Sequence, residues 1–371
     1  MHLVAVNAGA DVSGAERVLV DLLRRAHADG ARVTLVCPDG PLPELLGDRV
    51  EHVTVPLARL GGARGLRRVR EIAGLPLSWF RSARTLRRAA AGADALVSNS
   101  TFALPAVGLA YPLARRCRRR GRNVPGTITW LVHDTVTTTK QRSVLRLGAH
   151  ALTKAVAVSA VTAASVSALV PRVEVRPNGV EVPERMSGGT AAVAGQPTVG
   201  ILAVLTEWKG HEILLESIAG LPEVRLEIAG APFPGSEEFA ARLRERASRP
   251  DLAGRVRFLG QVDKRDVFPR WHALISASTS PEAGPLGVLE GMAHGVPLIA
   301  TDHGGSAEYL SDGAGLLVPP GDAPALAAAL RRLLADPDLS ARLRERARQR
   351  ASTDHDRTDT VPRMLAALCD G

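Results

Sequence analysis

Short β-branched runs alternate with amphipathic segments along this chain, and the alternation occurs twice, on either side of a Pro- and Gly-rich break. The first series opens with LVAVNAG, continues through SGAERVLVDLLRRAHADG and returns to RVTLVCP. Val18, Leu19, Leu22 and Leu23 recur at helical spacing, so this opening unit predicts strand, helix, strand. Further strands are expected at 94–100 (DALVSNS), 127–134 (TITWLVHD) and 155–160 (AVAVSA), with Arg-, Ala- and Leu-rich helical segments between them. Residues 177–197, PNGVEVPERMSGGTAAVAGQP, interrupt the pattern with Pro, Gly and small residues and are expected to join two domains. A second series then runs through TVGILAVL (198–205), VRLEIAG, VRFLG, HALISAS (272–278), PLIAT and AGLLVPP, each followed or preceded by a helical stretch. Strands separated by helices predict parallel sheets covered on both faces. Two such α/β halves with a cleft between them are the expected architecture: residues 1–178, a linker at 179–197, residues 198–350, and a C-terminal segment 351–371 returning as a helix toward the first half.

The chain has 371 residues, enough for two full cores, and its 45% apolar and 23% charged residues are those of a globular protein rather than a disordered one. The longest nearly uncharged apolar stretch, 102–114, is well short of the ~20 residues of a spanning helix. Neither a signal peptide nor a transmembrane span is expected. Only three cysteines occur, Cys37, Cys117 and Cys369, without zinc-ligand spacing, which fits a reducing cytoplasm and neither a disulfide framework nor a metal cluster. Charge is unevenly placed: residues 1–178 carry 26 Lys and Arg against 12 Asp and Glu, a balance of +14, whereas the remainder carries 21 against 26, a balance of −5. Residues 59–90 hold nine Arg against one acid, with Leu75, Leu77, Trp79 and Phe80 between the basic stretches. That pattern suits an anionic membrane surface or an acidic acceptor, and equally an amphipathic helix pair packing its Leu and Trp inward. The RRCRRRGR run at 115–122 reads as a solvated loop just as well.

In open parallel sheets, ligands bind beyond the carboxyl ends of strands, where loops meet helix N-termini. The loops after Leu205 and Ser278 are therefore the places to look. In the first, LTEWKGHEILLES, Lys209 stands immediately before a helix, where a cation and backbone N–H groups together neutralise a phosphate. Lysine is scarce here, four residues against 43 arginines. In the second, Glu282 lies in a loop and Glu290 about one turn into the next helix, on either side of Gly284, Pro285 and Leu286. Carboxylates so placed accept hydrogen bonds from sugar hydroxyls. As a bare spacing, two glutamates are commonplace.

The whole string EAGPLGVLEGMAHGVP, however, resembles the E-x7-E signature of glycosyltransferase family 4. The resemblance extends to five further motifs in order: SGAERVLVDLL, WLVHD, VRPNGVEV, EWKGHEILLESI and HGGSAEYLSDGAGLLVPPGD. It implies the GT-B fold, two Rossmann-like parallel-sheet domains facing each other across a cleft, with the acceptor on the first and a nucleotide-sugar donor on the second. It also implies that Lys209 contacts the donor diphosphate, Glu290 the ribose and Glu282 the transferred sugar. Gly284, Pro285 and Leu286 would line the phosphates with backbone N–H groups, Gly14 would let the first turn approach them with a positive φ, and His133 would approach the donor sugar. Transfer of a hexose-type sugar with retention follows from the resemblance, the leaving diphosphate taking the acceptor's proton, so that no cofactor or metal is required. If the enzyme inverts, His133 or Asp134 is the first suspect as general base.

Two positions depart from the family form. Its phosphate-binding arginine falls on Val204 and the neighbouring glycine on Ala203, and the first-turn Gly-Gly is Ser13-Gly14. The missing arginine suggests a second class of function, a non-catalytic GT-B partner or sensor. The net charge of +9 suggests a third, nucleic-acid binding, but no recognition-helix, zinc-finger or RNP-like string accompanies it. The acceptor stays open among a lipid-linked intermediate, a glycan and a small metabolite. Asp354-His355-Asp356 imitates a D-x-D metal motif but sits in a polar segment ahead of the last helix.

Overall fold

The computed structural model of the protein describes residues 1–57, 66–112, 124–187, 196–233 and 235–370, with side chains described outside 66–72 and Lys140. The chain divides into two units, 1–178 with 358–371, and 179–357.

The first unit is built on a seven-stranded sheet of β1 (His2–Val6), β2 (Arg32–Cys37), β3 (Glu51–Thr54), β4 (Ala95–Ser98), β5 (Thr127–Val132), β6 (Lys154–Ala157) and β7 (Val173–Val175). All pairings are parallel, in the order β3-β2-β1-β4-β5-β6-β7. The central strands β4, β5 and β6 are buried at every position, as expected of a sheet covered on both faces. The edge strands β3 (EHVT) and β7 (VEV) are half-exposed. Their short, mixed sequences lack the apolar run that makes the other five legible. The last helix, Arg357–Cys369, returns to this sheet: Thr127 and Thr129 of β5 donate through their hydroxyls to the Cys369 and Leu368 carbonyls.

The second unit carries β8 (Thr198–Leu202), β9 (Arg225–Ala229), β10 (Val256–Gly260), β11 (Ala273–Ser276), β12 (Leu298–Thr301) and β13 (Leu316–Val318), in the parallel order β10-β9-β8-β11-β12-β13. Each strand matches a run read from the sequence. Gly200 in β8 is a packing position, since a Cβ there would stand 2.1 Å from the Trp271 ring. Trp271 in turn donates its Nε1–H to the buried Glu227 carboxylate at 2.8 Å, and Arg270 Nε donates to the same oxygen at 2.8 Å. A buried carboxylate survives because both donors compensate its lost water. Residues 179–187 sit with this unit: Val180 forms a backbone bridge to Asp356. The Asp354–Asp356 segment is the joint between the helices Pro337–Asp354 and Arg357–Cys369.

No helix among the described residues is long and apolar enough to cross a membrane. Cys37 and Cys369 are free thiols, and burial pushes them up to about 12 and about 11, so neither is a ready nucleophile. Cys117 and the 115–122 run lie outside the described residues, as does residues 58–65, the start of the basic 59–90 stretch.

Candidate active site

In the second unit the strand order runs outward from β8 through β9 to β10 and then restarts with β11 on the other side of β8, so that β8 and β11 are parallel neighbours with their carboxyl ends side by side. This is the switch point at which doubly wound sheets hold ligands. The loop after β8 ends in a short turn, Glu207–Lys209, followed by Gly210 with φ +71°. A Cβ on Gly210 would lie 1.8 Å from the Ala277 carbonyl oxygen. Only glycine permits both the left-handed turn and the close approach. Thr279 N–H donates to the Trp208 carbonyl at 2.8 Å and completes the link between the two loops. Lys209 is thereby delivered to Glu282: Nζ donates to Oε2 at 2.5 Å, with the side chains 16% and 8% exposed. Ser278 Oγ donates to the other oxygen, Oε1, and the Lys209 ammonium lies 4.2 Å from the Trp208 ring centroid.

The HGGS segment holds the Glu282 loop from beneath. Gly305 N–H donates to the Glu282 carbonyl at 2.7 Å, and Gly304, at φ +61°, leaves no room for a Cβ, which would stand 2.5 Å from that same oxygen. His303 Nε2 lies 2.7 Å from the Ser278 carbonyl oxygen, and Thr301 Oγ1 donates to it at 2.9 Å.

The helix Leu286–His294 follows, with Pro285 as its N-cap residue and Gly295 at φ +68° ending it. Pro285 has no N–H, which corrects the expectation that residues 284–286 all donate. The ladder begins with Leu289 N–H to the Pro285 carbonyl at 3.3 Å. The N–H groups of Leu286, Gly287 and Val288 precede it and face outward at the positive end of the helix. A cavity of about 60 Å³ is lined by Lys209, Ser278, Glu282, Pro285, Leu286 and Gly287, among others. Glu290 lies about one turn along the helix, outside that lining, and accepts from Lys264 Nζ at 2.7 Å. Val204 stands 39% exposed in the loop after β8. Of the sequence-derived residues, then, Lys209, Glu282, Gly284, Pro285 and Leu286 come together at one loop-to-helix corner, with Glu290 one turn beyond it.

Gly14 and His133 belong to the first unit. Gly14 is the first residue of the helix Gly14–Ala28 and is not among the positive-φ glycines, so the expected left-handed turn is not its role. Glu16 caps that helix instead, accepting Ser13 N–H at 3.1 Å. His133 follows β5, and its Nε2 lies 2.9 Å from Asn99 Oδ1. Burial pushes the imidazole down to about 4, against the pull of Asp134 and Glu16. His133 is therefore neutral near pH 7.

Sequence reasoning missed Asn7, Glu16, Asn99, Ser278 and Lys264. The scarcity of lysine pointed to Lys264, one of four. The strand-end positions of Asn7 and Asn99 were the signal for the other pair.

Two Rossmann-like parallel sheets in one chain, the second holding a paired Lys and Glu at its switch point, define the GT-B class of glycosyltransferase folds. The match to the model "Glycosyltransferase Family 4" over residues 12–183 continues as "Glycosyl transferases group 1" over 184–350. The chain belongs to the family-4-like glycosyltransferases. It is 34% identical over 180 residues to the lipopolysaccharide core biosynthesis glycosyltransferase LpsE of Rhizobium meliloti, a match covering 47% of this chain and 51% of that protein. It is 37% identical over 150 residues to a phosphatidyl-myo-inositol mannosyltransferase of Mycolicibacterium smegmatis, covering 38% of this chain and 37% of that one. The matches thus span about half or less of these relatives' length. Anabaena HepE, solved in complex with UDP and glucose, superposes with a TM-score of 0.81 at 21% identity over 100% of this chain and 99% of its own, which shows the shared fold.

Proposed function

We propose that the protein transfers a hexose-type sugar, with retention, from a nucleoside diphosphate sugar held by the second unit to an acceptor hydroxyl. The observation that carries this reading is the Lys209–Glu282 pair beside the N-terminus of the helix Leu286–His294. A cation and the helix-start N–H groups stabilise the charge that develops on a leaving diphosphate. On binding, the Lys209 ammonium exchanges part of its contact with Glu282 for the phosphates, and the released carboxylate oxygen accepts from a sugar hydroxyl. Glu290, with one oxygen on Lys264, offers the other to the ribose. The leaving phosphate takes the acceptor's proton, and His133 is proposed to approach the sugar. The diphosphate charge is met by protein groups, so transfer needs neither cofactor nor metal.

HepE's complex with UDP and glucose makes UDP the first nucleotide to test. UDP should stabilise the protein against heat, by about 2.7 kcal/mol at a hundredfold excess over Kd. UDP-sugar should then turn over with release of UDP. A protein stabilised by no nucleoside diphosphate would overturn the reading.

The acceptor is proposed to be anionic or lipid-linked, met at the inner face of the membrane from the cytoplasm. The helix Leu66–Ala89 supports this: its outer face exposes Leu77 and Phe80 at 55% and 61%, together with Arg81, Arg84, Arg87 and Arg88. Apolar and cationic groups sharing one helix face are suited to an acidic bilayer surface. Vesicles containing acidic lipid should bind the protein at low salt and release it as salt rises. Binding that ignores both lipid charge and salt would remove the membrane from the proposal.

A further inference from the structure

We propose that Asn99 is a positioning residue that fixes the tautomer of His133, and that the direction of its hydrogen bond is imposed from Glu16 and Gly9 through Asn7. The functional weight of this inference rests on the reading of His133 given above, but the geometry stands in the first unit alone.

Strands β1, β4 and β5 are consecutive in the sheet, and the residue just past each carboxyl end is Asn7, Asn99 and His133 in turn. The β1–β4 register sets Asn7 opposite Asn99, whereas the β4–β5 register sets Asn99 opposite Leu131, so His133 stands two residues farther along on the same side of its strand and reaches back to Asn99. Asn7 is fully buried, and Glu16 and Asn99 are 1% and 3% exposed. Buried amides must place each donor against an acceptor, because an unmatched group loses its water without replacement.

The row has one consistent polarity. Asn7 Nδ2 lies 2.8 Å from the Gly9 carbonyl and 3.2 Å from Glu16 Oε1. A peptide carbonyl only accepts, and so does an ionised carboxylate, so the nitrogen of the Asn7 amide must face that side. Asn7 Oδ1 then faces the opposite way and needs a donor, which is Asn99 Nδ2 at 3.1 Å. That leaves Asn99 Oδ1 toward His133 Nε2 at 2.9 Å. An oxygen there can only accept, so the imidazole proton sits on Nε2 and the lone pair on Nδ1. Flipping either amide to favour the other tautomer sets oxygen against oxygen at Gly9 or at Asn7. The polarity therefore propagates from two fixed acceptors through two amides to the ring.

The consequence is chemical. A neutral His133 with Nε2–H committed to Asn99 presents Nδ1 as an acceptor, suited to a hydroxyl of sugar or acceptor and unable to donate to a phosphate.

The test is nitrogen NMR on protein carrying 15N-histidine, with the His133 signals assigned by their loss in His133→Gln. It needs neither donor nor acceptor, so it fails or succeeds independently of glycosyl transfer. At pH 8 the wild type should show His133 overwhelmingly as the Nε2–H form. Asn99→Ala should lower the ratio of Nε2–H to Nδ1–H by about tenfold, the equivalent of one buried hydrogen bond, and lower kcat with a smaller change in donor KM. Asn99→Asp keeps an acceptor facing Nε2 and should retain the Nε2–H form, but it sets an oxygen against Asn7 Oδ1 and should be less stable than the wild type. A wild-type ring protonated on Nδ1, or an unchanged ratio in Asn99→Ala, overturns the proposal. Should Asn99→Ala fail to fold, the wild-type spectrum and Asn99→Asp decide it.

Discussion

Replacing Gly210 by alanine perturbs the corner on which the site is built, and the structure separates the effect into two parts. The first is conformational: at φ +71° an L-residue costs about 1–2 kcal/mol that glycine avoids. The second is steric: the new Cβ would stand 1.8 Å from the Ala277 carbonyl oxygen and 2.6 Å from its carbon. Both are backbone atoms, so the loops after β8 and β11 must separate, at the ~1–3 kcal/mol typical of overpacking. Gly254 isolates the first part, because it sits at φ +74° with nothing within 4 Å of its would-be Cβ. Gly254→Ala should therefore cost only about 1–2 kcal/mol, and Gly210→Ala about 2–5 kcal/mol. Amide exchange of β8 and β11, followed by mass spectrometry, reads the opening free energy of this unit without assuming that the whole chain unfolds in one step. Calorimetry with UDP supplies the second readout, since displaced loops carry Lys209 away from Glu282. Gly210→Ala should lose at least about tenfold in affinity, roughly 1.4 kcal/mol, and Gly254→Ala should lose nothing. Equal destabilisation of the two variants with equal UDP affinity would refute the reasoning.

Four further outcomes follow from the same geometry. Glu290→Ala should weaken nucleotide binding by about 1.5–3 kcal/mol, the usual loss for a charge-assisted hydrogen bond, whereas Glu282→Ala should mainly lower kcat; calorimetry and steady-state kinetics distinguish them. Val204→Arg should add little affinity for a nucleoside diphosphate if another cation already serves the phosphates, and a gain beyond about tenfold would mark an under-filled site and favour a non-catalytic protein. Activity should persist in excess EDTA, and complete loss restored by magnesium or manganese would reopen Asp354 and Asp356. Burial pushes His211 down to about 4 from an unfolded value near 6.5, so between these pH values the unfolded chain binds the extra proton and stability falls as pH falls. His211→Leu should flatten that pH dependence by up to about one proton, or ~1.4 kcal/mol per pH unit, measured by urea unfolding at pH 5 and pH 7.5; an unchanged slope would refute it.

Eleven of the thirteen strands among the described residues were legible because each carries a run of apolar residues, most completely where both faces are buried, as in TITWLV of β5. The strands β3 and β7 were not, since EHVT and VEV are short and break their apolar residues with Glu51 or Glu174. The site divides in the same way. Lys209, Glu282 and Glu290 were singled out because they lie in two contiguous strings, EWKGHEILLESI and EAGPLGVLEGMAHGVP, that resemble the family form. Their partners were not, because Lys264 reaches Glu290 across 26 positions and Ser278 became informative only once its hydroxyl was seen on Glu282.

Periodicity is a local property of the chain, and so the sequence by itself determined two α/β halves and the loops in which the charged residues lie. Contact between residues distant in the chain is set by strand order. Only the tertiary structure decided that Gly210 abuts Ala277, that the HGGS turn supports Glu282, and that Asn7, Asn99 and His133 stand in one row. The physical reason is that hydrogen-bond direction is a property of a closed network: no single amide specifies it until the fixed acceptors at Glu16 and Gly9 are brought against it.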